Sequence, residues 1–150
     1  MDLVVGIGNT LRGDDGVGAR VVESLPRDVR AETMTVQQLT SGLVEPLARA
    51  DRVLFIDADA ARDSVRLTPL RPAAKETRLG HAVSAEELLL WTLIEHETCP
   101  PAWMVSVPGR SFEFGEELSP ETQRAVPVAR RVVIDWLDGR QQGPMNEEEE

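Results

Sequence analysis

The sequence predicts an α/β domain built on a five-stranded, mostly parallel sheet with one antiparallel strand. Three observations carry this reading. Short apolar runs suited to buried strands alternate with stretches of helical spacing. The third and fourth runs are joined by too few residues for a helical crossover, so the fourth strand must turn back antiparallel. The first run ends in a glycine loop with a helix directly behind it, an arrangement that α/β folds place at the carboxyl edge of the sheet.

The elements follow in order. Leu3 to Val5, with Ile7, form the first strand, and Val17, Val21, Val22 and Leu25 mark the first helix. Between them Gly6 and Gly8 let the strand end tightly, Asn9 and Gly13 suit a turn, and Asp14 and Asp15 stand before the helix. Glu32 to Gln38 alternates as a second strand, Thr40-Ser41-Gly42 turns, and a short helix over Leu43, Leu47 and Ala48 begins late because of Pro46. Val53 to Ile56 is an unbroken apolar run ending at Asp57-Ala58-Asp59, and Val65 to Leu70 is the antiparallel strand. A polar connector over 71–80 leads to His81. Ser84 and Glu87 then form a capping box, with Val83 and Leu88 as a staple, for a helix whose apolar face is expected at Leu89, Leu90, Leu93 and Ile94. Pro100-Pro101 stops it. Trp103 to Val107 is the fifth strand, and Phe112, Phe114 and Gly115 fall in a loop. Ser119-Pro120 opens the last helix, with Ala129, Val132, Val133, Trp136 and Leu137 as its buried stripe and a kink expected at Pro127. Residues 1–138 form one domain in this reading, and 139–150 read as a disordered acidic tail.

Composition narrows the function. A formal net charge of −10 argues against nucleic acid and anionic membranes as partners. No apolar run approaches the roughly 20 residues of a membrane span, and the start lacks a secretory leader. Cys99 is the only cysteine, so an intrachain disulfide is impossible. A cytoplasmic setting is expected. Beside Pro100 and Pro101, Cys99 reads as incidental.

The chemistry concentrates in the carboxylates. If the first strand lies between the second and third, the strand order reverses there and opens a crevice at their carboxyl ends. Asp15 would face it from one side and Asp57 from the other, with His81 in a loop able to approach. Two carboxylates and an imidazole suit a borderline divalent ion such as nickel or zinc. The acidic pair repels phosphate, and neither phosphate-loop spacing is met. Each residue also has a plainer reading: Asp14 or Asp15 as a helix cap, Asp57 as a turn former, His81 as a solvated side chain. His96 lies late in its helix, where an imidazolium suits the dipole, and completes no H-E-x-x-H. No G-x-S-x-G is present, and Ser106 and Ser111 carry no nucleophile signature.

The motifs Gly6-x-Gly8-Asn9-x-Leu11-x-x-Asp14-Asp15-Gly16-x-Gly18, Ile56-Asp57-Ala58 and Gly80-His81 resemble the hydrogenase maturation protease family. The similarity runs from about Met1 to Leu137 and takes in Phe112-Glu113-Phe114-Gly115 and Leu118-Ser119-Pro120. The resemblance implies a three-layer α/β/α sandwich of the phosphorylase/hydrolase-like kind. It also implies an endopeptidase that trims the C-terminal extension of the immature [NiFe] hydrogenase large subunit. Asp15, Asp57 and His81 would contact nickel already carried by that precursor, or another divalent ion in vitro. Asn9, Thr40 and Gly42 would contact the substrate. Many relatives carry Asp-Gly-Gly-Thr where this chain has Gln37-Gln38-Leu39-Thr40-Ser41-Gly42, so the acid of that stretch is absent. A non-catalytic nickel checkpoint for the precursor would need the same three residues. A nucleotide-binding α/β enzyme would rest on the glycine loop alone.

Overall fold

The computed structural model describes residues 1–75 and 83–139. Its sheet has five strands: β1 (Leu3–Ile7), β2 (Glu32–Val36), β3 (Val53–Asp59), β4 (Arg66–Leu70) and β5 (Ala102–Pro108). The strand order is β2-β1-β3-β5-β4. β1 pairs in parallel with both β2 and β3, and β3 in parallel with β5, while β4 is antiparallel to β5. The first strand therefore lies between the second and third, which meets the condition for a crevice at their carboxyl ends, and the antiparallel strand is the fourth.

Side-chain alternation along the strands sorts the core into two layers. Val4, Leu54, Ile56, Val105 and Val107 face helices α1 (Val17–Glu23) and α4 (Pro120–Leu137). Leu3, Val5, Ile7, Val53 and Phe55 face α2 (Val44–Arg49) and α3 (Ala85–His96). Helices thus cover both faces of the sheet, as a buried parallel sheet demands. On the first face Trp136 is fully buried, stands edge-on to Trp103 at 5.7 Å between centroids, and lies under the Arg52 guanidinium at 3.9 Å. Arg52 also pairs with Asp2 and donates to the Trp136 carbonyl at 3.1 Å. Trp136→Ala should cost about 3–5 kcal/mol through the cavity and the lost cation–π contact, read as a lower urea midpoint by circular dichroism.

Local signals explain the ends of the helices. Ser84 and Glu87 form the expected reciprocal capping box, each bond 3.1 Å. Thr40 caps a 3₁₀ turn over Ser41–Leu43 that feeds α2, so Pro46 sits within its first turn. α4 runs unbroken through Pro127. The buried face of α3 corrects the sequence expectation: Ala85, Leu88, Leu89 and Thr92 point inward, whereas Leu93 is 38% and Ile94 70% exposed. The inward set keeps i, i+3, i+4, i+7 spacing, and buried Thr92 satisfies its hydroxyl on the Leu88 carbonyl at 2.8 Å.

Candidate active site at the β1–β3 crevice

β1 delivers the chain to Gly8, whose φ of 136° is open only to glycine. A Cβ there would overlap the Asp15 carbonyl oxygen, so the strand end and the acidic turn touch backbone to backbone. The loop then closes through a 3₁₀ turn over Gly13–Gly16 into α1. The half-buried Asp15 carboxylate accepts the Asn9 backbone N–H at 2.7 Å, which fixes its direction from within its own loop. One of its oxygens is thereby held, while the residue still borders open space.

That space is a cavity of about 360 Å³ whose lining includes Gly8, Asp15, Gln38, Asp57, Glu86 and Met104. Asp57 enters from the end of β3, where it is paired in register with Ser106 of β5. A second cavity of about 250 Å³ shares Asp57, Glu86 and Met104 and adds Ser106 and Arg62. Asp57 therefore borders both. Burial pushes its carboxyl up to about 7; the charges of Asp15 and Asp59 act in the same direction, and the Ala58 N–H only partly opposes them. The two predicted carboxylates thus meet at one crevice and sense each other. Near neutral pH Asp57 can hold or release a proton, which a turn-forming aspartate at the surface would not do.

Asp14 corrects the reading of an acidic pair. It is 0% exposed and does not face the crevice as a second free charge. Its carboxylate accepts four hydrogen bonds: from the backbone N–H of Arg110 (2.7 Å), Ser111 (2.9 Å) and Ser119 (2.7 Å), and from the Ser119 hydroxyl (2.7 Å). Burial alone would raise its pKa, but these donors outweigh it and hold the group at about 2. It is a structural anion, and Asp15 alone supplies this loop's charge to the cavity.

The remaining predicted residues fall as follows. His81 lies outside the described residues; Val83 and Ser84, which follow it in sequence, line the larger cavity. Asn9 contributes its amide to Asp15. Asn9, Thr40 and Gly42 are not among the lining residues, whereas Gln37, Gln38 and Leu39 are. Cys99 is half-buried and its thiol is pushed up by burial, away from the thiolate a nucleophile needs. Ser106 was not a site candidate from sequence. Its place beside Asp57 follows only from the β3–β5 register, which no local motif encodes.

A different trio of metal-capable side chains exists among the described residues. His96 Nε2 lies 3.2 Å from Glu45 Oε2 and 3.7 Å from Glu95 Oε2. It sits at the far end of α3 from Ser84, about 18 Å away at 1.5 Å per residue. Both glutamates are exposed. The contacts lie at the carboxyl end of a helix, on the surface of the protein. This group is separate from the crevice.

No protein-family model matches the sequence, and comparison with curated proteins finds no match. Solved structures do match. The hydrogenase-maturating endopeptidase HybD from Escherichia coli aligns with a TM-score of 0.72 at 20% identity, covering 92% of each chain. A hydrogenase 2 maturation peptidase from the Thaumarchaeota archaeon SCGC_AB-539-E09 aligns at 0.64 with 27% identity, over 93% of this chain and 99% of that one. The [NiFe] hydrogenase maturation protease HycI from Thermococcus kodakarensis KOD1 aligns at 0.70 with 18% identity, over 91% and 92%. The fold is that of the hydrogenase maturation peptidases. The resemblance carried by the glycine–acid loop thus extends to a structural likeness over more than nine-tenths of the chain.

Proposed function

We propose that this protein is an endopeptidase that removes the C-terminal extension from the nickel-loaded precursor of a [NiFe] hydrogenase large subunit. The observation that carries the reading is the convergence of Asp15 and Asp57 on one cavity, in a chain whose structural neighbours are named as hydrogenase maturation peptidases. The nickel belongs to the substrate. An oxygen from Asp15, an oxygen from Asp57 and a nitrogen from His81 form a donor set suited to a borderline divalent ion with positions left open. Bound there, the ion supplies Lewis acidity to the scissile carbonyl or lowers the pKa of a water.

The chain's own groups do the rest. Asp15 arrives as an oriented acceptor, one oxygen already fixed by the Asn9 amide. Asp57, poised at about 7, gives up its remaining proton when a cation binds, and the cation stabilises the charge beyond what the Ala58 N–H supplies. This couples completion of the site to arrival of a metal-loaded precursor and gives specificity without a deep pocket. Gln37 and Gln38 border the crevice with neutral amides, which can hydrogen-bond the precursor's backbone; Asn9, Thr40 and Gly42, outside that lining, would meet the precursor beyond the crevice. The polypeptide works in the cytoplasm, and among its described helices none is long and apolar enough to cross a membrane.

The test is incubation of purified nickel-loaded precursor with wild type, Asp15→Ala or His81→Ala, followed by mass measurement of the large subunit. Wild type should release the extension, and each variant should lose on the order of 10²-fold in rate. If both variants cut as well as wild type, the site assignment fails. If wild type alone cannot cut but binds the precursor, the chain is a checkpoint and another protein is the peptidase.

A further inference from the structure

We propose that Asp14 is a positioning residue: its buried carboxylate clamps the segment after β5 onto the loop after β1 and thereby sets where the Asp15 carboxylate stands. The proposal rests on the reading of Asp15 as a substrate-contacting group, and concerns what holds it in place.

Both carboxylate oxygens of Asp14 are held by donors. Oδ2 accepts from Arg110 N, Ser111 N and Ser119 Oγ, and Oδ1 accepts from Ser119 N. An ionised carboxylate offers about two lone-pair sites on each oxygen; three donors fill Oδ2, one holds Oδ1, and full burial closes the remaining site to a ligand. Every partner is a donor. An amide in place of the carboxylate would turn an N–H₂ toward at least one of these N–H or O–H groups. Only the anion fits.

The clamp joins distant segments, since its partners lie 96 to 105 positions along the chain. Backbone bonds reinforce it: Asp14 N–H to the Ser111 carbonyl (2.8 Å), Gly13 N–H to the Gly115 carbonyl (2.7 Å) and Gly115 N–H to the Leu11 carbonyl (2.8 Å). Asp14 and Asp15 share one 3₁₀ turn, so rotation of one peptide moves the other. On the far side of that turn, the Asp15 carbonyl abuts Gly8 and its carboxylate holds Asn9 N–H at 2.7 Å. Asp15 is therefore fixed between two constraints, the clamp behind it and the strand end before it. Releasing the clamp removes four side-chain bonds and leaves the turn to its backbone bonds and the Asn9–Asp15 contact, and displacements of about 1 Å at such groups are costly in rate.

The experiment compares Asp14→Asn, Ser119→Ala and Val133→Ala with wild type. Steady-state cleavage of nickel-loaded precursor is measured together with hydrogen exchange of individual amides in the enzyme alone. For Asp14→Asn, kcat should fall tenfold or more with KM within twofold. The Asn9 amide should lose at least tenfold protection beyond any loss shared by the Val4 and Phe55 amides in the core strands. Ser119→Ala keeps three of the four donors and should show a smaller loss of both kinds. Val133→Ala, in the core under α4, should lower stability while leaving kcat and the Asn9-specific protection unchanged. Wild-type kcat and Asn9 protection in Asp14→Asn would overturn the proposal, as would a loss of protection spread evenly over all amides. Should Asp14→Asn not fold, an unchanged kcat and Asn9 amide in Ser119→Ala overturns it instead. If wild type does not cut the precursor, the peptidase reading falls, and the Asn9 exchange still decides whether Asp14 holds Asp15.

Discussion

Asp57→Asn should abolish processing and, at pH 8, make the protein more stable than wild type. The two effects have opposite signs because one group is responsible for both. In the folded chain the Asp57 carboxyl is raised to about 7 by burial and by neighbouring negative charge, against an ordinary value of 3.8. A carboxyl raised on folding contributes stability that is fully present below pH 3.8 and is lost as pH rises through about 7. Asparagine mimics the protonated form, keeps an oxygen for the Ala58 N–H, and never ionises. The expected gain is ~2 kcal/mol at pH 8, after discounting a shift of this size for partial solvent contact, and it should vanish on acidification toward pH 4. Cleavage should fall by on the order of 10²-fold or more, because the neutral amide cannot supply the anionic oxygen a cation needs. Urea melts of both proteins between pH 4 and pH 8, alongside a cleavage assay, give the measurement. Equal midpoints at every pH would place Asp57 in water. Undiminished cleavage would remove it from the mechanism.

Gly18→Ala should be strongly destabilising, although it adds only one methyl group to a helix. Ala is ordinarily the better helix residue by about 1 kcal/mol, so propensity alone predicts a gain. Packing decides otherwise. A Cβ on Gly18 would stand 2.6 Å from the Ile56 carbonyl oxygen, 2.7 Å from the Ile7 nitrogen and 2.8 Å from the Ile7 oxygen. All three are backbone atoms of β1 and β3, and none can rotate away. α1 would have to lift from the sheet, opening the contact beneath the Gly13–Gly16 turn that carries Asp15. The cost should be about 3 kcal/mol or more, well above the propensity gain. Thermal unfolding followed by circular dichroism checks it. A variant as stable as wild type would mean that α1 rides higher over the strands.

These two positions show what can be read from one dimension and what cannot. Asp57 was legible because an unbroken apolar run ending in an acid marks a strand tip, and strand tips of parallel sheets open on the ligand edge. The short link after it gave the antiparallel β4, while β1 between β2 and β3 was only the condition for a crevice, one that the strand order meets. Asp14 was not legible. Two adjacent aspartates look alike in sequence, and their division into a buried anchor and a crevice group depends on amides about a hundred residues later. The inward face of α3 was missed for a related reason. Leu88, Leu89, Leu90, Leu93 and Ile94 fit two helical registers, and the choice falls to Ala85 and Thr92, small or hydrogen-bonded enough to meet α2 and the sheet. Ser106 became visible only when β3 and β5 were set in register.

The most direct measurement is cleavage of one precursor in two forms, nickel-loaded and nickel-free, by wild type and by Asp15→Ala. Wild type should release the extension only from the nickel-loaded form, and Asp15→Ala should release it from neither. Equal cutting of both forms by wild type, or of the loaded form by the variant, would contradict a site that the crevice carboxylates complete around the substrate's metal.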